Sequence, residues 1–112
     1  MQPSIVAGIR LARVLDVGCG FGNGTLSIAK RVGPTGEAVG LDCAENFVHA
    51  AEAAASKERV ENARFVVGDA QSGDLFGPYD HAFASFGTMF FLTPALAMAN
   101  VRKSLKPGAN FM

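Results

Sequence analysis

Val14-Leu15-Asp16-Val17-Gly18-Cys19-Gly20-Phe21-Gly22-Asn23-Gly24 is the stretch on which the reading of the chain turns. Four residues of strand character run straight into a loop with glycine at every second position. From Thr25 to Val32, Leu26, Ala29 and Val32 then recur at three-residue intervals, the spacing of one helix stripe. Gly33-Pro34 stops that helix, because glycine tolerates a left-handed cap and proline cannot continue the hydrogen-bond ladder. The unit predicted is strand, glycine loop, helix.

Downstream the period alternates again. Ala38-Val39-Gly40-Leu41 reads as a strand ending at Asp42, and Glu45 to about Ala55 as a helix burying Phe47, Val48, Ala51 and Ala55. Ala63-Arg64-Phe65-Val66-Val67 is a third strand, ending before Gly68-Asp69. Residues 68–80 suffice for a crossover, but Gly73, Gly77 and Pro78 argue against one regular helix there. His81-Ala82-Phe83-Ala84 is a fourth strand, leading through Ser85-Phe86-Gly87 into an apolar loop to Leu92. Thr93 caps a helix that starts at Pro94 and turns Ala97, Val101 and Leu105 to the sheet. Lys106-Pro107-Gly108 ends that helix, and Ala109 to Met112 opens a fifth strand. The alternation predicts an α/β fold, an open and mostly parallel sheet with helices on both faces, rather than a bundle or an antiparallel barrel.

Composition bounds the function. In 112 residues, 49% are hydrophobic and 18% charged, with ten Lys/Arg against ten Asp/Glu, which suits one globular domain or part of one. Neutrality gives no support for general attraction to nucleic acid or an anionic membrane. No apolar run approaches the roughly 20 residues of a bilayer span, and the N-terminus lacks the pattern of a secretory signal, so a cytoplasmic location is expected. Cys19 and Cys43 make neither a disulfide framework nor a four-thiolate zinc site and are expected to be reduced; no metal site is expected.

In such a sheet, ligands meet the loops at the C-terminal strand ends, where Gly20, Asp42, Asp69 and Ser85 all fall. Glycines let a ligand approach the backbone, and the amide N–H groups opening the next helix favour an anionic or hydrogen-bonding group. The NAD fingerprint Gly-x-Gly-x-x-Gly fails: counted from Gly18 the last glycine is Asn23, and from Gly20 it is Thr25. A Walker loop fails for want of Gly-Lys-Ser/Thr. Asp42, directly after the second strand, suits two ribose hydroxyls, and by position alone it indicates a ribose rather than a particular cofactor. Asp69 suits an adenine amino group, with the Ala70 backbone beside a ring nitrogen.

Together with Val39-Gly40-Leu41-Asp42, Val66-Val67-Gly68-Asp69-Ala70, the region 79–91 and Val101-Arg102-Lys103-Ser104-Leu105-Lys106-Pro107-Gly108, the opening stretch resembles the cofactor half of a class I S-adenosylmethionine-dependent methyltransferase, a Rossmann-like fold. The resemblance covers roughly residues 12–112 and is nearest the small-molecule branch that includes ubiquinone/menaquinone-type enzymes. It implies that Gly18, Cys19, Gly20 and Gly22 surround the methionine portion of S-adenosylmethionine, with Asp16 organising its amino-acid end. It further implies that Asp42 binds the ribose, Asp69 and Ala70 the adenine, and that Ser85 and Phe86 lie beside the cofactor. The family's reaction moves a methyl group from a sulfonium to a nucleophile held in line, which requires neither a triad nor a metal. No catalytic residue and no particular acceptor is expected from these motifs.

Two substitutions depart from the family pattern: Glu45 where a small hydroxyl residue is frequent, and Ala109 after Lys106-Pro107-Gly108 where a second glycine is frequent. Length departs further. Residues 1–112 are expected to form a partial domain, short of the later strands and much of the acceptor site, with a fifth-strand edge open to self-association or a partner chain. A noncatalytic cofactor-binding module completed by a partner, or an inactive fragment, is the alternative to an autonomous enzyme. His49, His81, Phe21, Phe47, Phe90 and Phe91 are read as packing or solvated residues, and Arg102, Lys103 and Lys106 as a solvated helix-end group.

Overall fold

The computed structural model describes residues 12–72, 74–84 and 94–111. The order is β1 (Arg13–Val17), α1 (Asn23–Val32), β2 (Glu37–Asp42), α2 (Glu45–Glu58), β3 (Ala63–Val67), β4 (Tyr79–Ala84), α3 (Pro94–Lys103) and β5 (Leu105–Phe111). The five strands form one parallel sheet in the order β3-β2-β1-β4-β5, so β1 is central. Successive strands add outward from β1 to one edge through β3, and β4 and β5 then add to the other side of β1. That reversal beside β1 leaves a crevice at the strand ends.

Strand alternation explains how both faces are covered. On β1, Val14 clusters with Ala12 and with Val32 of α1, whereas Leu15 and Val17 cluster with Val39, Leu41, Tyr79, Ala82 and with Ala97 and Val101 of α3. A third cluster joins Leu26 of α1 to Val48, Ala51 and Ala55 of α2 over Phe65. Leu26, Ala29 and Val32 are buried as their spacing predicts. Burial of a Leu or Val side chain stabilises by about 1.5–3 kcal/mol, so this stripe holds α1 to the sheet without any side-chain N-cap. In α2, Val48, Ala51 and Ala55 are buried as expected, while Phe47 is only half-buried. Glu45 opens α2 without displacing its start.

The C-terminal part departs from expectation. Leu105 belongs to β5, not to the helix, and Lys106-Pro107-Gly108 lies within the strand region instead of stopping α3, which ends at Lys103. The Ser104 amide donates to the Val101 carbonyl, closing a turn, and the Ser104 carbonyl at once accepts from Tyr79 of β4. The pairing then skips from Tyr79–Leu105 to His81–Asn110. Proline has no N–H to give to the ladder, and Gly108 turns with φ 80°, so the residues between bulge out. β4 also begins two residues earlier than expected, because Tyr79 is fully buried and its hydroxyl donates to Leu75 O at 2.6 Å. No helix lies between β3 and β4 among the described residues. The Thr93 cap and the apolar loop to Leu92 lie outside the described residues.

Candidate functional site

Three loops meet at the C-terminal ends of β1, β2 and β3, and the end of β2 ties them together. The Gly18 and Cys19 amides donate to Leu41 O at 2.8 and 3.0 Å. One residue on, the Asp42 carboxylate accepts from the Gly20 amide through Oδ2 and from the Ala44 amide through Oδ1, both at 2.9 Å. Its main-chain carbonyl accepts from Gly68 N at 3.0 Å, which brings in the loop carrying Asp69. The glycine loop, the start of α2 and the β3 loop therefore all hang on one residue.

Each carboxylate oxygen has two lone pairs, so the two backbone donors leave Asp42 able to accept two more hydrogen bonds, the number a ribose diol offers. The glycines divide by purpose. Gly22 has φ 92°, and a Cβ there would stand 2.7 Å from Ala51 Cβ and 3.1 Å from the Phe65 ring, so α1 and α2 close together only because it is glycine. Gly20 has φ 55°, and a Cβ there would meet nothing within 4 Å, so its surroundings stay open for a ligand. Both properties fit a nucleoside-bearing cofactor laid across the strand ends.

Asp69 is exposed and accepts from its own neighbours, the Gln71 amide at 2.9 Å and the Gln71 side chain at 3.2 Å, in a local turn. Ala70 is buried, and its carbonyl accepts from Asn100 of α3 at 3.1 Å. Cys19 is a buried free thiol packed with Leu26 and Val48. Burial, aided by the charges of Asp16 and Asp42, pushes its pKa up to about 12, so it stays protonated and is no nucleophile at neutral pH. Phe21, 60% exposed, leans on Phe47 with ring centroids 4.7 Å apart. Ser85 and Phe86 lie outside the described residues.

Asp16 is only 4% exposed, and its Oδ2 accepts from the Thr25 hydroxyl at 2.7 Å. Among the described residues no ion pair reaches it. Burial raises its pKa above the ordinary carboxylate value; Thr25 opposes that shift, and the charge of Asp42 adds to it. Thr25 itself was not singled out by the sequence reading. The available signal was a hydroxyl in the first turn of a helix that folds back over the strand it follows, nine residues after an acid at that strand's end.

Two clefts of about 600 and 420 Å³ lie away from this site, at the opposite end of the sheet. Lys30, Gly33, Glu58 and Asn62 line one; Asp74, Pro78, Asn100 and Lys103 line the other. Neither cleft gathers the strand-end groups, and it is the converging polar groups that single out the functional end. His49 is exposed, 3.9 Å from Glu45, and His81 sits within β4, so neither joins the strand-end groups.

Comparison with known proteins bears on the family and the fold. The methyltransferase domain family matches residues 14–108. A demethylmenaquinone methyltransferase of Staphylococcus aureus is 33% identical over 97 residues, 86% of this chain and 39% of that protein. The YcgJ protein of Bacillus subtilis superposes with a TM-score of 0.80 at 30% identity, covering 90% of this chain and 43% of the other. A SAM-dependent methyltransferase of Aquifex aeolicus superposes with a TM-score of 0.82 at 24% identity, covering 89% and 54%, a likeness of fold. The chain spans about two-fifths of the length of the curated relatives it matches. With its motifs, strand order and fold in agreement, the chain belongs to the methyltransferase domain family and has the Rossmann-like fold of the class I S-adenosylmethionine-dependent methyltransferases.

Proposed function

We propose that the chain binds S-adenosylmethionine across the ends of β1, β2 and β3 and serves as the cofactor half of a methyl transfer to a small-molecule acceptor. The observation that carries this reading is the convergence on Asp42, which joins the glycine loop, the start of α2 and the β3 loop by hydrogen bonds of 2.9 to 3.0 Å. Asp42 then takes the ribose hydroxyls, and Gly18, Gly20 and Gly22 leave room for the methionine portion. Asp16 faces that portion's ammonium group, and Asp69 and the Ala70 N–H meet the adenine edge.

When bound, the sulfonium supplies an activated methyl group whose departure leaves a neutral thioether. What the chain's own residues contribute is orientation: a fixed carboxylate at the ribose, a fixed carboxylate at the amino-acid end, and the apolar Phe21–Phe47 pair on the loop and the helix that follow β1 and β2. The Staphylococcus aureus relative is named for demethylmenaquinone, so a naphthoquinol, the electron-rich reduced form of such a quinone, is the first acceptor to assay. We take the location to be the cytoplasm; no helix among the described residues is long and apolar enough to cross a membrane.

Titration calorimetry of the purified chain with S-adenosylmethionine, with NAD as the control, tests the binding step. Saturable binding of the first and none of the second is expected, and absence of S-adenosylmethionine binding by the folded chain refutes the reading. The share of the relatives' length that the chain spans favours one second reading, a cofactor-binding module whose acceptor surface comes from further sequence or a partner docked on the β5 edge. Binding without turnover of a naphthoquinol, restored by a longer chain or a partner, selects it.

A further inference from the structure

Asp16 is a buried carboxylate beside an open loop, with no cation from the described residues to balance it. Such a group is costly unless it is hydrogen-bonded and meets a charge from outside the fold. Thr25 is wholly buried and donates to Oδ2 at 2.7 Å. Its place is prepared by β2: Gly40 stands directly across the ladder from Asp16, and a Cβ on Gly40 would fall 2.8 Å from the Thr25 hydroxyl, 2.8 Å from the Phe65 ring and 2.9 Å from Cys19 Cβ. A glycine inside a central strand is unfavourable by propensity and usually marks such a close approach. Gly24 likewise lacks a side chain 3.4 Å from Asp16 Oδ2. Three elements are thus shaped around one hydroxyl–carboxylate contact.

We propose that Thr25 is a positioning residue for ligand recognition: seated in the space left by Gly40, its hydroxyl holds the Asp16 carboxylate in the orientation that accepts the ammonium group of an amino-acid-bearing ligand. The proposal rests on the cofactor reading above and names the contact that separates ligands with an amino-acid tail from plain nucleosides. Around Asp16, the titratable groups are Asp42 at the end of β2 and the Cys19 thiol in the loop; β4 offers Phe83 opposite it, and α1 only Thr25. Asp42 disfavours the charged form of Asp16 and Thr25 favours it. Affinity for a cationic group therefore rises with pH as Asp16 ionises, and loss of the hydroxyl moves that rise to higher pH.

The experiment compares S-adenosylhomocysteine with 5′-methylthioadenosine, thioethers that differ by the amino-acid tail, on the full chain and on Thr25→Val and Thr25→Ser, by calorimetry from below the ordinary carboxylate value of 3.8 up to pH 8. Thr25→Val is expected to bind S-adenosylhomocysteine about tenfold more weakly at pH 7, with its pH profile displaced upward, as loss of a hydrogen bond to a charged group predicts. Binding of 5′-methylthioadenosine is expected to stay within twofold, and Thr25→Ser to restore the parent profile. Equal weakening for both ligands, or an unshifted profile, overturns the proposal by reducing Thr25 to packing. If Thr25→Val fails to fold, Thr25→Ala, which removes the hydroxyl without adding a methyl group against its neighbours, decides: it must weaken S-adenosylhomocysteine selectively, or the proposal fails. Binding of 5′-methylthioadenosine alone by the parent chain refutes the proposal while leaving nucleoside binding intact; binding of neither ligand, nor of S-adenosylmethionine, refutes the cofactor reading itself.

Discussion

Replacing Asp42 by alanine removes a ribose acceptor and, at the same stroke, the clamp on two loops. In the free chain the Gly20 and Ala44 amides lose a charged partner at 2.9 Å each. Hydrogen bonds to charged groups contribute roughly 1.5–3 kcal/mol when buried, but Asp42 is half-buried and water replaces part of the loss, so about 1–3 kcal/mol of stability is expected to go. At about 5 °C per kcal/mol for a domain of this size, the melting temperature falls by roughly 5–15 °C. In the complex a second loss is added: two hydroxyl contacts to a carboxylate, together about 3 kcal/mol, weaken S-adenosylmethionine by a factor of roughly 100 or more. Calorimetry on the parent chain and the variant, repeated with a 2′,3′-dideoxyadenosyl analogue, separates the two. The analogue has no diol to lose, so it is expected to show only the smaller penalty of a loosened glycine loop. Equal affinity of the folded variant and the parent for S-adenosylmethionine refutes the ribose role. Equal losses for ligand and analogue leave Asp42 as a structural clamp alone.

Asp16→Asn is expected to raise the stability of the free chain at neutral pH while weakening ligand binding. Burial holds the folded pKa of Asp16 above its unfolded value, so the acid's contribution to stability is present below the ordinary pKa of 3.8 and declines as pH rises through the folded value; thermal melts from pH 3 to 8 on parent and variant check this. Asp80 has the opposite sign. The Arg13 amide at 2.8 Å, and then Lys106 at 2.7 Å, hold its pKa below the usual value, so its contribution is present above pH 3.8 and lost as pH falls through the lowered value. Asp80→Asn is expected to flatten the acid limb of the melting curve, and an unchanged limb counts against this pair. Gly22→Ala is expected to destabilise by about 1–3 kcal/mol, since the added carbon meets Ala51 and Phe65 in a left-handed backbone; a chemical denaturation midpoint within error of the parent's contradicts it. Tyr79→Phe leaves the Leu75 carbonyl without its donor and is expected to cost roughly 1–2 kcal/mol by the same denaturation assay.

Local spacing carried most of the fold. The run from Val14 to Gly24, the three-residue stripe of α1 and the strands before Asp42 and Asp69 are local signals, and the structure places each within a few residues of its expected bounds. The fifth strand was misread because Lys-Pro-Gly is a general helix-stop signal, and nothing local says that Tyr79 waits to pair with Ser104 and Leu105. The strand-end placement of the candidate site was legible to the same degree, since glycines and acids that follow strands are read from residue type and position. Thr25 and Gly40 were not legible, since a threonine in a helix and a glycine in a strand each have many ordinary explanations.

Periodicity and turn chemistry act over a few neighbouring residues, and they suffice for the succession of strands and helices, for the place of Gly20, Asp42 and Asp69 at strand ends and for the family resemblance. That Asp42 ties three loops together, that Cys19 is sealed and protonated, and that Gly40 makes room for Thr25 against Asp16 emerges from the folded chain alone. Those are contacts between residues far apart along the chain, fixed by the register of β1 against β2 and the seating of α1 on the sheet, and no local pattern encodes them.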